Sequence, residues 1–298
     1  MFLRWGSEMN GDWVAWHGDS QLYIAKWRLV HDTLVRLAPN VIMVWCPNDV
    51  PRARIEAYYP GDAYVDWVGV NFYVVSIHDN DPQREARTEN PADHLKWIYA
   101  KYAARKPLMI CETGVTHEGQ AVGREEVAFA AARIRQLYGS LPRLYPRVKA
   151  LCYFDVNNLS AASGGRPFNN YLLTDDGAIT EAYRAAIAPD YFLGQPAAAC
   201  VSVATCVTPL ADGMTVRGKV HLSAWAQARC LTPRVEYDLD GQPLGASSVA
   251  GSCDLTVDFS AVAPGPHRLR LVMRSAAGGR QLLEVQYSLL VMPPGGIR

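Results

Sequence analysis

The hydrophobic period of this chain changes once, and that change constrains the fold more than any other feature. Up to about Pro189, short continuous apolar runs alternate with stretches whose apolar residues recur at steps of three and four. Beyond Pro189 to Ala199 that spacing vanishes and strict apolar/polar alternation replaces it. The first pattern belongs to parallel strands covered on both faces and joined by amphipathic helices. The second belongs to short antiparallel strands with one wet face. A chain of 298 residues is long enough to hold both as separate domains. The expected division is an α/β domain over 1–192 and an all-β domain over 203–298.

Within the first domain, strands are expected at Val41 to Trp45, Tyr64 to Tyr73, Pro107 to Cys111 and Val148 to Phe154, after a very short apolar run at Met1 to Leu3. Helical faces run through Tyr23, Trp27, Val30, Leu34 and Leu37, through Leu95, Ile98, Tyr99 and Tyr102, and through Val127, Ala131, Ile134 and Leu137. A last helix is expected from Thr180, as N-cap, to Ile187. The order is βα repeated about five times. In the second domain, alternating rows such as Val220-Leu222-Ala224, Val235-Tyr237-Leu239 and Leu283-Val285-Tyr287-Leu289 are separated by Asp240-Gly241, Pro264-Gly265 and Gly278-Gly279. Five or more such strands point to a β-sandwich of immunoglobulin type.

Composition excludes some partners. The formal net charge is +0, so there is no global field to hold nucleic acid or an anionic membrane. No apolar run reaches the roughly 18 residues that a bilayer span requires. No signal peptide is visible ahead of Leu3. Cys46, Cys111 and Cys152 sit singly in apolar runs and are expected as buried small hydrophobes. Cys200, Cys206, Cys230 and Cys253 form an even set that suits up to two disulfides and an oxidising compartment. No Cys/His spacing points to a metal, the acidic set Asp79, Asp81 and Asp93 lacks cage spacing, and neither metal nor cofactor is expected.

The chemistry is expected where strands run out into loops. Arg4-Trp5-Gly6-Ser7-Glu8-Met9-Asn10-Gly11-Asp12-Trp13 places a glutamate just after the first strand, among tryptophans. Leu108-Met109-Ile110-Cys111-Glu112-Thr113-Gly114 places another at a later strand end. On one barrel rim, Glu8 and Glu112 would face each other across the mouth. Retaining glycoside hydrolysis needs such a pair, one carboxylic acid and one nucleophilic carboxylate about 5–5.5 Å apart. Many strand-end glutamates only cap helices or pair with arginines, so the pair alone is weak evidence.

The surrounding words sharpen it. Ser7-Glu8-Met9-Asn10-Gly11-Asp12-Trp13 resembles the acid/base motif at strand four of glycoside hydrolase family 26, the β-mannanase family of a retaining (β/α)8 clan. Ala38-Pro39-Asn40 through Trp45-Cys46-Pro47-Asn48 resembles its passage into strand five. Val65-Asp66-Trp67-Val68-Gly69-Val70-Asn71-Phe72-Tyr73 is similar to strand six, and Ile110-Cys111-Glu112-Thr113-Gly114 to the nucleophile strand seven. The resemblance implies strands 4–8 of a (β/α)8 TIM-type barrel, followed by the immunoglobulin-like sandwich. It makes Glu8 the general acid/base, Glu112 the nucleophile and Tyr73 the hydrogen-bond partner of Glu112. Trp13 and, less directly, Trp45 would line the sugar site. Arg4 would be a charge partner for a carboxylate, and Asn10 and Asn71 would bond sugar hydroxyls. His78 and His117, in rim loops, are weaker candidates for substrate contact.

The implied activity is endo-hydrolysis of a β-linked plant or microbial polysaccharide, β-mannan or a related β-glycan, by a secreted or cell-surface monomer. Ser7 is a departure, because many mannanases of the family carry histidine there; family 5-like glucanases, of the same clan, usually carry asparagine. The resemblance begins at strand four, and half of the cleft belongs to strands one to three. The alternative is therefore a non-catalytic carbohydrate-binding or cell-surface remnant of such an enzyme.

Overall fold

The computed structural model describes residues 1–161, 166–193, 208–226, 233–248, 251–275 and 279–293. It divides into two compact units, one of residues 1–130 with 145–179 and one of residues 131–144 with 180–298. Cys200, Cys206 and Cys230, on which the disulfide expectation rests, lie outside the described residues. Among the described residues no helix is long and apolar enough to cross a membrane.

The first unit is built on five parallel strands. β1 (Phe2–Leu3), β2 (Ile42–Trp45), β3 (Trp67–Val74) and β4 (Leu108–Val115) lie side by side in chain order. A two-residue strand, β5 (Glu118–Gly119), follows, and β6 (Val148–Tyr153) closes the row beside β4. The pairs Phe2↔Ile42, Val44↔Trp67, Val70↔Ile110 and Ile110↔Leu151 are all parallel. Sequential parallel neighbours joined by helical crossovers are the succession of a (β/α) barrel, and this sheet is part of one. β3 shows why the residues choose this state. Six of the eight residues of Trp67-Val68-Gly69-Val70-Asn71-Phe72-Tyr73-Val74 are buried, as in a strand covered on both faces.

The crossovers are α1 (Ser20–Leu37), α2 (Asp93–Tyr102) and α3 (Val127–Leu144), with three 3-10 turns between Arg52 and Tyr64 linking β2 to β3. α1 starts where Asp19 accepts the Leu22 amide at 2.8 Å and stops ahead of Pro39. Its buried face is narrower than its period suggests. Tyr23 and Trp27 are buried, whereas Leu37 stands on the exposed side. Trp27 donates to the Tyr64 carbonyl at 2.8 Å and packs with Trp5 and Tyr23, which anchors the helix. A short helix α4 (Asn158–Ala161) and the strand β7 (Asn169–Asn170), antiparallel to β5, complete the loops above the sheet. α5 (Gly177–Ile187) begins earlier than expected, because Asp176 accepts the Ala178 amide at 2.8 Å and so caps it; Thr180 lies inside the helix.

The second unit contains β8 (Met214–Val216), β9 (Lys219–Ala226), β10 (Arg234–Leu239), β11 (Gln242–Ser247), β12 (Gly251–Asp258), β13 (Gly265–Arg274) and β14 (Gln281–Val291). Five of them form a sheet in the order β11-β10-β13-β14-β8, and β12 pairs with β9 in a second sheet. Both sheets feed one core, with Leu222 and Cys253 from one and Tyr237, Leu269 and Leu289 from the other. The Tyr237 hydroxyl donates to the Cys253 carbonyl at 2.5 Å across that core. Asp240-Gly241 turns the β10–β11 hairpin with φ of 53° and 82°, the left-handed pair that matches strand twist. The inner row of β14 fades along its length: Leu289 is buried, but Leu283 and Val285 are exposed.

Candidate active site

The site starts from period two. On β3, Gly69, Asn71 and Tyr73 share one face. A side chain at Gly69 would put its Cβ 2.5 Å from the Cys111 sulfur and 3.1 Å from that of Cys46, so glycine is required there and both cysteines lie on that face. β4 carries one extra residue against β3. Val70 pairs with Ile110 and Asn71 with Glu112, leaving Cys111 over. Such a bulge re-aims side chains. It brings both Cys111 and Glu112 to the face of Asn71 and Tyr73.

Two of the expected site residues lie apart from this face. Trp45, between the inward Val44 and Cys46, points the other way. It is fully buried, stacks edgewise on Tyr59 and Tyr102, and donates to the Tyr58 carbonyl at 3.2 Å. It fills the layer between sheet and helices and lines no open site. Asn10 is buried too. Its amide donates to the Asn48 and Pro51 carbonyls at 2.9 and 3.4 Å, and its oxygen accepts the Asn48 amide at 3.0 Å. Those bonds brace two loops and use both hydrogens of the buried amide.

Glu8 sits in a turn made by two left-handed residues, Gly6 at φ 54° and Glu8 itself at φ 61°. That conformation costs a non-glycine residue on the order of 1–3 kcal/mol. It is held by the Glu8 amide donating to the Cys46 carbonyl at 2.8 Å and by the Gly11 amide donating to the Glu8 carbonyl at 2.9 Å. The Glu8 carboxylate accepts three neutral donors: Trp13 Nε1 at 2.6 Å, Asn71 Nδ2 at 2.8 Å and Asn48 Nδ2 at 3.0 Å. Trp13 is 45% exposed, and the Arg166 guanidinium stands 5.9 Å from its ring centre. Gly11 makes room for that ring, since a Cβ there would fall 2.3 Å from it.

Glu112 has different company. Tyr73 donates its hydroxyl to Glu112 Oε2 at 2.6 Å, and the Arg4 guanidinium pairs with Oε1. Arg4 also donates to Asn71 Oδ1 at 3.2 Å. Burial acts to lower the Arg4 pKa, but Glu112 outweighs it and holds the guanidinium above its ordinary value. Burial, then the bond to Glu112, pushes the Tyr73 hydroxyl far up, so it stays a donor. The Tyr73 ring is boxed by Phe154 and Tyr171, each 5.4 Å away.

Glu8 and Glu112 are therefore joined through two side chains, Asn71 and Arg4, and the field of Glu8 reaches the Tyr73 hydroxyl that Glu112 holds. Glu8, Glu112, Tyr73, Arg4 and Trp13 come together; Trp45 and Asn10 stand apart. Of the weaker candidates, His117 is buried and His78 is engaged with Glu89 at 3.0 Å. Sequence reasoning passed over Asn48 and Tyr171. Asn48 carries a visible signal, a polar residue three past the end of a buried strand. Tyr171 carries none, because only the fold brings it to Tyr73.

The match to known proteins falls on this part of the chain. Residues 1–104 match the family model described as Glycosyl hydrolase family 26. The matched segment includes Glu8, Asn48, Asn71 and Tyr73 and ends before Glu112. Among relatives, "Mannan endo-1,4-beta-mannosidase A and B" of Caldalkalibacillus mannanilyticus is 36% identical over 82 residues, covering 24% of this chain and 16% of that protein. "Beta-1,3-xylanase TXYA" of a Vibrio species is 29% identical over 120 residues, covering 38% and 23%. The chain thus spans less than a quarter of the length of these curated relatives. A solved structure, the catalytic domain of a Bacillus sp. GH26 endo-beta-1,4-mannanase, aligns with TM-score 0.44 at 19% identity over 64% of this chain and 50% of that chain.

Proposed function

We propose that this chain carries the acid/base and nucleophile half of a retaining endo-glycoside hydrolase acting on a β-linked glycan, β-mannan or a related polysaccharide. The observation that carries the reading is the linked set Glu8–Asn71–Arg4–Glu112, with Tyr73 bonded to Glu112. In this reading Glu112 attacks the anomeric carbon and forms a glycosyl ester, while Glu8 gives its proton to the departing glycosidic oxygen. Glu8 then takes a proton from water, which attacks the same carbon and frees Glu112 with net retention. Arg4 and Tyr73 aim Glu112; Asn48, Asn71 and Trp13 aim Glu8. The exposed face of Trp13 offers an apolar platform to a sugar ring. The two relatives are named for mannan and β-1,3-xylan, and both polymers are β-linked candidates for the substrate.

The same proposal takes 1–192 as the barrel domain and 203–298 as an immunoglobulin-like spacer, in a monomer that works outside the cell. The test is hydrolysis of β-1,4-mannan, β-1,3-xylan and β-glucan by the full chain and by Glu8→Gln and Glu112→Gln. We expect Glu8→Gln to lose about 10²–10⁴-fold on substrates with poor leaving groups, and Glu112→Gln to fall to background. Proton NMR of the first-formed anomer should show retention. Absence of turnover on all three polymers, or turnover indifferent to both changes, would overturn the proposal.

A further inference from the structure

Just beyond the nucleophile strand, His117 presents a contradiction. Its side chain is fully buried, yet neither ring nitrogen meets a hydrogen-bond partner. A neutral imidazole has one N–H and one lone pair, and leaving both unpaired in a buried place costs free energy. The ring is held there by backbone, since the His117 amide donates to the Asn170 carbonyl at 3.2 Å and the Thr116 amide to the Val74 carbonyl at 3.0 Å. Beside it, a ring nitrogen of His117 and carboxylate oxygens of Glu118 and Asp175 all lie within 4.8 Å of one another. One amide draws the two carboxylates together: Asn170 Nδ2 donates to Asp175 Oδ2 at 2.6 Å and to Glu118 Oε2 at 3.1 Å. The nearest cation, Arg124, stays 3.7 Å from Glu118 Oε2 and meets Asp175 only through its carbonyl, at 3.3 Å. Two carboxylates and an unsatisfied imidazole thus converge with incomplete compensation.

We propose that His117, Glu118 and Asp175 bind a divalent transition cation, of the Zn²⁺ or Mn²⁺ class, which braces the β5–β7 loop pair. One nitrogen and two carboxylate oxygens are the donor set of such ions, whereas Ca²⁺ and Mg²⁺ prefer oxygen throughout. Zinc bonds of about 2.0–2.2 Å require the three donors to close in by roughly an ångström. Asp175 is exposed and Glu118 half-buried, so both have the freedom to do so. Asn170 supplies the outer support that orients bound carboxylates. Tyr171 follows Asn170 directly and packs on Tyr73, so the bound ion would steady the aromatic box around Glu112. The expectation of no metal came from spacing, and Asp175 is too far along the chain from His117 for spacing to reveal the set.

The experiment is equilibrium dialysis of the full, tag-free chain against Zn²⁺ and Mn²⁺ with metal analysis, together with cobalt substitution read by visible absorbance. The wild type should retain one equivalent that resists weak chelators, with a raised Tm. Asp175→Asn and Glu118→Gln, both at sites with solvent access, should each weaken binding at least tenfold, and His117→Ala should abolish the cobalt ligand-field bands. Absence of stoichiometric binding, or binding unchanged in Asp175→Asn and Glu118→Gln and therefore seated elsewhere, for instance on the cysteines, would overturn the proposal. The readout is metal content, so it stands or falls apart from glycan hydrolysis.

Discussion

At the scale of single residues, the donors to the two carboxylates should be separable by substitution. Tyr73→Phe removes one hydroxyl from Glu112 without opening the aromatic box, because Phe154 and Tyr171 still hold the ring. A hydrogen bond to a charged group contributes about 1.5–3 kcal/mol, so kcat/KM should drop about 10- to 100-fold with Tm little changed. The pH–rate profile should gain no new limb near neutrality, since Tyr73 does not titrate there. Trp13→Phe deletes the indole donor to Glu8 and keeps a ring; the expected loss is of similar size, read in the same assay. A smaller effect than threefold in both would mean that these bonds do not orient the reacting groups. These side chains could be picked out beforehand because each lies within a strand-end word. Trp45 lies apart from them because Val44 and Cys46 claim the inner face, and a strand offers that face only every second residue.

At the scale of elements, the constraint is crowding on the inner face of the sheet. Gly69→Ala forces a Cβ to within 2.5 Å of the Cys111 sulfur and 3.0 Å of the Cys46 Cβ, so β2 and β4 must part. Overpacking of this kind costs about 1–3 kcal/mol, which urea unfolding should show as a lower midpoint at unchanged m. In the second unit, the turn between β10 and β11 is pinned to β13 by His267, whose Nδ1 meets Asp240 Oδ2 at 2.6 Å. Asp240 and the Ala263 carbonyl raise the His267 pKa above 6.5, and the Arg268 amide and His267 lower that of Asp240 below 3.8. The histidine contribution is complete below pH 6.5 and is lost as pH rises through its raised value. The aspartate contribution is present above 3.8 and is lost as pH falls through its lowered value. The Tm difference between wild type and His267→Gln should therefore be largest at pH 4–6 and shrink above neutrality. The βα succession and the alternating rows were legible because each is a local period. The bulge at Cys111, the cap of α5 and the pairing of β5 with β7 were not, because each depends on a partner strand or loop.

At the scale of the molecule, charge balance sets behaviour in solution. With 29 basic and 29 acidic side chains, the chain should be least soluble near pH 7. Retention on heparin or anionic vesicles at physiological salt should be negligible, and firm retention would expose a local basic face. Seen whole, the set around the carboxylates gathers residues from the first turn, the β2 exit, β3 and β4, so it forms only once several crossovers have closed. Asn71 is its keystone: its oxygen faces the guanidinium of Arg4 and its nitrogen faces the anion of Glu8. A side chain that must take a bond from a cation at one end and give one to an anion at the other acts as a polarity lock. Aspartate would repel Glu8, leucine would remove one bond from each ion, and histidine would have to choose a tautomer. Anyone reshaping this cleft would meet resistance first at that amide, before reaching either acid.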